Sequence, residues 1–304
     1  MVSAEILTIQ LLDLIFLVFG AIAFYHAVKI YQKWDINSTT PAQYRLEKLS
    51  FLNQTIIKYI FAIKLPLFLF FIFTIDKISD VLTGAMCGVG VINATEVGLP
   101  LFVLKLINIY LFGFWLVINK KDLKDPNLSL TKKKFGFFIP LFLLLCLEIG
   151  LEFFMFGSLN PDKLVSCCGT VFSSTATSSI SAIFKIKTSV MIGLFYSVFI
   201  MMVLFYKNTL TFRVTNILYL FISLLSLIQF FSTYVYELPT HHCPFCLLQK
   251  DYYYVGYLFY TSLFLGTFYG VVGKKKLSLV FNTIYLLSVS AYPVIFYIKN
   301  KVWL

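Results

Sequence analysis

The run Lys132-Lys133-Lys134-Phe135-Gly136-Phe137-Phe138-Ile139-Pro140-Leu141-Phe142-Leu143-Leu144-Leu145-Cys146-Leu147-Glu148-Ile149-Gly150-Leu151-Glu152-Phe153-Phe154-Met155-Phe156-Gly157 sets a triple-lysine border against an apolar segment. The only charged side chains inside that segment are Glu148 and Glu152. A helix needs about 20 apolar residues to cross the hydrocarbon core of a bilayer, and residues 135–157 supply them. The pattern recurs at 5–29, 53–76, 98–118, 190–206, 217–236, 252–272 and 277–297. The chain of 304 residues is 59% hydrophobic and 13% charged, whereas soluble domains carry about 25% charged residues. These segments predict an all-α fold: a polytopic membrane helical bundle of about eight transmembrane helices with cysteine-bearing outer loops. Residues 1–304 read as a single integral membrane domain.

A net charge of +11 is compatible by number with nucleic acid, but its placement is not. Lys120, Lys121, Lys124, Lys132, Lys133, Lys134 and the run Lys274-Lys275-Lys276 stand beside apolar segments, where positive charge marks cytoplasmic loops. Alternation of eight spans then puts 30–52, 119–134, 207–216 and 273–276 in the cytoplasm and both termini outside. Lipid is the expected neighbour, and nucleic acid is excluded as a partner. The initial apolar segment has no basic leader and no small-residue cleavage site, so it reads as a retained span. The outer loops are expected to face a periplasm, with the protein in a bacterial inner membrane, a compartment where disulfides persist. Only 30–52, 119–134 and 158–189 are hydrophilic at any length, which leaves no room for a soluble catalytic domain. No nucleotide-binding loop or HExxH motif is present, which argues against an ATP-driven pump or a zinc protease.

Of the six cysteines, five fall in the expected outer loops: Cys87, Cys167, Cys168, Cys243 and Cys246. Cys146 lies within a span and reads as a small buried hydrophobe. Cys243 and Cys246 form the CxxC of His241-His242-Cys243-Pro244-Phe245-Cys246-Leu247-Leu248-Gln249-Lys250, which leads into the span at 252–272. If a helix starts at Pro244, its free N–H groups favour a thiolate at Cys243. A protonated His241 or His242 would add to that effect. Cys243 is then the more reactive thiol and Cys246 its resolving partner. Thiol redox chemistry is the leading reading of the motif, with half a metal site or a structural disulfide as the alternatives. A haem attachment is not expected, because Leu247 and not histidine follows Cys246.

CxxC, two apolar residues, glutamine and a basic residue at the head of a span resemble the quinone-coupled disulfide-forming membrane oxidoreductases of the DsbB type. Vitamin K epoxide reductase-like enzymes share that general architecture. The resemblance is confined to 243–257. It implies that the cysteines accept electrons from a periplasmic thioredoxin-like partner and pass them to ubiquinone or menaquinone. It also implies that Gln249 and Lys250 lie near the quinone head group. The order of cysteines differs from that family, whose second pair follows the CxxC, whereas Cys167 and Cys168 precede it here.

Adjacent Cys167 and Cys168 are poorly placed to bond each other, so exchange with Cys87 or with the CxxC is expected. The same thiols and the two histidines suit a soft metal, Cu(I), Zn or Hg(II). The adjacent pair also resembles that of mercuric-ion transport proteins. A third reading has the cysteines as structural disulfides holding loops or aiding assembly. Glu148 and Glu152 are four residues apart on one helix face, at a depth where ionisable groups are costly. They are expected to line a proton path or the side of a quinone cavity, with Lys58, Lys64 or Lys105 as possible counter-ions.

Overall fold

A computed structural model describes residues 3–38, 40–160, 165 and 186–304. Every regular element in them is helical: α1 (Ala4–Lys33), α2 (Pro41–Ser79), α3 (Gly88–Asn93), α4 (Gly98–Asp122) and α5 (Thr131–Ser158). After these come α6 (Thr188–Leu204), α7 (Thr209–Tyr236), α8 (Val255–Val272) and α9 (Lys275–Asn300). Seven of these helices are long and apolar enough to cross a membrane. The other candidate, α6, has 17 residues, or about 25 Å of helix against a hydrocarbon core of about 30 Å.

Local chemistry sets the ends. Ser3 caps α1 by accepting from Ile6 N–H at 3.3 Å, and Thr40 caps α2 ahead of Pro41, whose missing N–H costs nothing in the first turn. The apolar run at 53–76 therefore proves to be the later part of a longer helix that takes in Arg45, Glu47 and Lys48. Asn208 caps α7 through the amides of Leu210 and Thr211. Asp122 fastens the turn from α4 to α5, accepting from Leu130 N–H, Thr131 Oγ1 and Lys134 Nζ at 3.0, 2.7 and 2.6 Å.

The chain clusters into two compact units, Met1–Thr83 with Val91–Val165, and Gly84–Gly90 with Ser166–Leu304. Unit 1 is built on α1, α2, α4 and α5, with α1 against α2 and α5, and α4 against the same two helices. Its centre is aromatic: Phe61 stacks on Phe112 at 4.2 Å and meets Trp115 edge-on at 5.4 Å. The Trp115 indole donates to Lys134 O at 3.1 Å, so even this buried ring has its polar atom satisfied.

Unit 2 is built on α6, α7, α8 and α9, in which α7 touches α6 and α8, and α8 packs along α9. Phe195, Tyr219 and Tyr285 fill its middle. Towards the α8–α9 turn, Asn216 Oδ1 accepts from Ser278 Oγ at 2.9 Å and from Asn282 Nδ2 at 3.0 Å. Between apolar helices such hydrogen bonds and small residues supply the adhesion that hydrophobicity cannot. Gly266 and Gly270 let α8 approach this knot: a Cβ on either would stand 2.1 Å from Asn282 Oδ1 or 2.2 Å from Asn216 Oδ1. Gly266→Ala is therefore expected to lower stability by about 1–3 kcal/mol through overpacking, read as a lower melting temperature in detergent.

Candidate functional site

The CxxC segment starts where α7 is irregular. Leu227–Phe231 form a π-helical turn within α7, a departure that frequently marks a functional position. Glu237 then stops the helix in a left-handed conformation at φ 52°. From there the chain turns through His241 and His242 to Cys243 and Pro244, and Cys246–Leu248 make one 3-10 turn. Lys250–Tyr252 make another. Tyr253 and Tyr254 are both left-handed, at φ 54° and 55°, and α8 starts only at Val255.

This corrects one expectation. Cys243 does not cap a transmembrane helix, because two consecutive left-handed tyrosines separate the 3-10 turns from α8. No helix terminus therefore stabilises a thiolate at Cys243. His242 Nδ1 lies 3.0 Å from the carbonyl of Ile228 in the π-helical turn. Burial holds its pKa below the ordinary imidazole value, with the Ile228 carbonyl pulling the other way. A carbonyl only accepts, so the neutral ring carries its proton on Nδ1 and its lone pair on Nε2. His241 stacks on Tyr236 at 4.1 Å, and its buried Nε2 has no hydrogen-bond partner among the described residues.

Cys87 arrives from a different part of the chain. Gly84, at φ 87°, turns the backbone, and Cys87 directly precedes α3. Its Sγ lies 3.2 Å from Cys243 Sγ. With Cys246, the three sulfurs all lie within 4.8 Å of one another. All three residues are buried, at 0%, 0% and 4% exposure for Cys87, Cys243 and Cys246. No histidine, aspartate or glutamate among the described residues joins them at that spacing.

Several contacts hold the backbone around the sulfurs. The Tyr236 hydroxyl donates to Cys243 O, and the Tyr260 hydroxyl donates to Pro244 O at 2.7 Å. Gln249 Nε2 donates to Met86 O at 3.3 Å, tying the CxxC segment to the loop that carries Cys87. Leu247, in the middle of the first 3-10 turn, is fully buried. A buried three-thiol cluster results, suited to holding one soft ion or to passing a disulfide among its members. Tyr260→Phe removes one of these anchors, worth about 1 kcal/mol. Hydrogen–deuterium exchange across 243–249 is expected to rise roughly fivefold, and unchanged protection would mean that Tyr260 does not hold the loop.

The remaining candidates are placed as follows. Gln249 uses its amide on Met86 O, and Lys250 is exposed. Glu148 and Glu152 belong to unit 1, where both are ion-paired with Lys105. Lys64 also pairs with Glu148, whereas Lys58 is exposed. Cys146 is half-buried on α5. Cys167 and Cys168 lie outside the described residues. Sequence reasoning passed over Tyr236 and Tyr260, whose roles depend on hydroxyl direction, and Asp13. The last was visible as the one acid in the interior of the first apolar segment, eight residues beyond Glu5 at its border. Comparison with protein-family models, with curated proteins and with solved structures gives no match.

Proposed function

We propose that this membrane protein binds a soft metal ion, Cu(I), through Cys87, Cys243 and Cys246. The observation that carries the reading is the gathering of three buried cysteine sulfurs within 4.8 Å, one of them from a distant loop. Sulfurs each about 2.3 Å from a common ion stand about 3.8–4.0 Å apart, so the 3.2 Å Cys87–Cys243 separation needs to widen by less than about 1 Å. Soft thiolates select Cu(I). Zn(II) normally closes a fourth position with a further protein ligand, and none stands at this spacing among the described residues. Binding replaces thiol protons by the ion, so affinity falls as pH falls.

In this reading α6 completes a set of eight spans, and the cysteine loops face the outer side of a bacterial inner membrane. The juxtamembrane lysines at 120–134 and 274–276 support that orientation. Anaerobic titration of the full-length protein in detergent with Cu(I), against a chromophoric chelator, tests the proposal. One ion per chain, held more tightly than by the chelator, is expected. Failure to compete at any ratio would sink it.

The 3.2 Å contact favours a second reading, a thiol–disulfide oxidoreductase. There the dithiol of Cys87 and Cys243, or of Cys243 and Cys246, gives up two electrons and two protons to ubiquinone or menaquinone. The quinone becomes quinol and the sulfurs a disulfide. A periplasmic thioredoxin-like protein then re-reduces that disulfide and is itself oxidised. Quinone reduction by the dithiol form, independent of copper, distinguishes this reading from metal binding.

A further inference from the structure

Unit 1 buries a second chemical centre that the cysteine site does not use. Each of its four long helices contributes: Asp13 from α1, Lys64 from α2, Lys105 and Asn108 from α4, and Glu148 and Glu152 from α5. All six residues are at most 5% exposed. Lys64 Nζ reaches Asp13 at 2.6 Å and Glu148 at 3.2 Å, and Lys105 Nζ reaches Glu148 at 3.0 Å and Glu152 at 2.6 Å. Asn108 Nδ2 donates to the other oxygen of Glu148 at 2.6 Å. The result is an alternating chain, Asp13–Lys64–Glu148–Lys105–Glu152, with a carboxylate at each end.

That order leaves a charge imbalance. Three carboxylates face two ammonium groups, so the fully ionised network carries one uncompensated negative charge in an apolar helical interior. Burying an unmatched charge costs far more than neutralising it. The two terminal carboxylates also hold unused oxygens: Asp13 Oδ2 and Glu152 Oε1 are buried without a hydrogen-bond partner among the described residues. Glu148 spends both of its oxygens. The adjoining cavity, lined by Lys64, Lys105, Glu148, Phe68 and Phe112, has room for about one water molecule. No organic substrate fits there, and the network as a whole, three carboxylates to two ammonium groups, has no surplus positive charge to hold an anion. A single positive charge of the smallest size is what the centre lacks.

We propose that unit 1 is a proton-binding site, with one proton taken up on Glu152 Oε1 from water and released to it again. Of the two terminal carboxylates, Glu152 lies nearer a helix end. It stands six residues from Ser158, about 9 Å along the axis, whereas Asp13 is nine residues, about 13 Å, from Ala4. The step is acid–base only: hydronium gives its proton to the carboxylate, leaving a neutral carboxyl group and water. Among the described residues, the other titratable groups of the network around Glu152, namely Lys105, Glu148, Lys64 and Asp13, then form a balanced set of two positive and two negative charges.

The test is infrared difference spectroscopy of the full-length protein in lipid nanodiscs, with pH as the only variable. One buried carboxyl carbonyl band is expected at neutral pH, fading at alkaline pH and missing from Glu152→Gln. Because that variant can also fold poorly, the wild type is labelled separately with carboxyl-13C glutamate and with carboxyl-13C aspartate. A band that shifts with labelled glutamate supports the proposal. Absence of any protonated carboxyl band at neutral pH overturns it, as does a band that shifts with labelled aspartate. Stabilisation by sodium over choline without a carboxyl band also overturns it, and assigns the site to a metal cation.

Discussion

Cys243→Ser is expected to abolish stoichiometric Cu(I) binding, and Cys246→Ser and Cys87→Ser should do the same. In a three-thiolate site each sulfur supplies a third of the first coordination sphere, and a hydroxyl is a poor ligand for a soft ion. The loss should exceed a hundredfold in affinity for each variant, on the order of 3 kcal/mol or more. Equality among the three is the informative part. In a two-cysteine redox cycle the variants separate instead: Cys246→Ser traps Cys243 in a mixed disulfide with Cys87, while Cys87→Ser leaves the Cys243–Cys246 pair able to oxidise. Chelator competition and thiol-trapping mass spectrometry on the same three proteins read both patterns. Copper binding that survives Cys87→Ser unchanged would remove the loop cysteine from the site and undo the metal reading.

The parts of this molecule legible in its sequence are those set by local chemistry. Each apolar run lies on a helix, because twenty or so apolar residues with few charges leave no other way to satisfy the backbone in a membrane. Helix ends were less visible. The α2 helix starts at Pro41, ahead of its apolar run, since Arg45 and Lys48 are good helix formers that hydropathy ignores. The segment before α8 misled for the opposite reason. Tyr252-Tyr253-Tyr254 reads as the border of a span, yet two of these residues take left-handed conformations that tyrosine rarely adopts and no pattern announces.

The candidate site was half legible. The CxxC draws attention by itself, and Cys87 was named as a possible partner for a cysteine elsewhere. Its approach to Cys243 spans 156 positions of sequence and depends on how Gly84 turns and where Gln249 reaches. Spacing does not encode contacts of that kind. The ion-pair network was legible to the same extent. Glu148 and Glu152 at i and i+4 on α5, and Lys105 within its own span, are improbable at membrane depth unless they meet. That Lys64 joins them, and that Asp13 ends the chain of charges, follows from the packing of α1 and α2 against the other two helices.

At alkaline pH, where Glu152 is ionised, Lys105→Met is expected to be the most destabilising substitution in unit 1, by about 3–5 kcal/mol, the usual cost of removing one partner from a buried ion pair. Lys105 holds both Glu148 and Glu152, and without it the network carries three carboxylates against Lys64 alone. Glu152→Gln should behave in the opposite sense. It removes the surplus charge and keeps a group able to accept from Lys105, so its cost should stay within about 1 kcal/mol. The double variant Lys105→Met/Glu152→Gln leaves Asp13, Lys64 and Glu148, one excess negative charge, as in the parent with Glu152 ionised. Its stability should recover part of the loss, so the two substitutions are non-additive, as expected for residues sharing one network. Thermal unfolding of the four proteins in one detergent at that alkaline pH, followed by tryptophan fluorescence, measures the cycle. If Glu152→Gln costs as much as Lys105→Met, charge balance is not what governs this core. The network would then matter for its hydrogen-bond geometry alone, and the surplus carboxylate would have no reason to take up a proton.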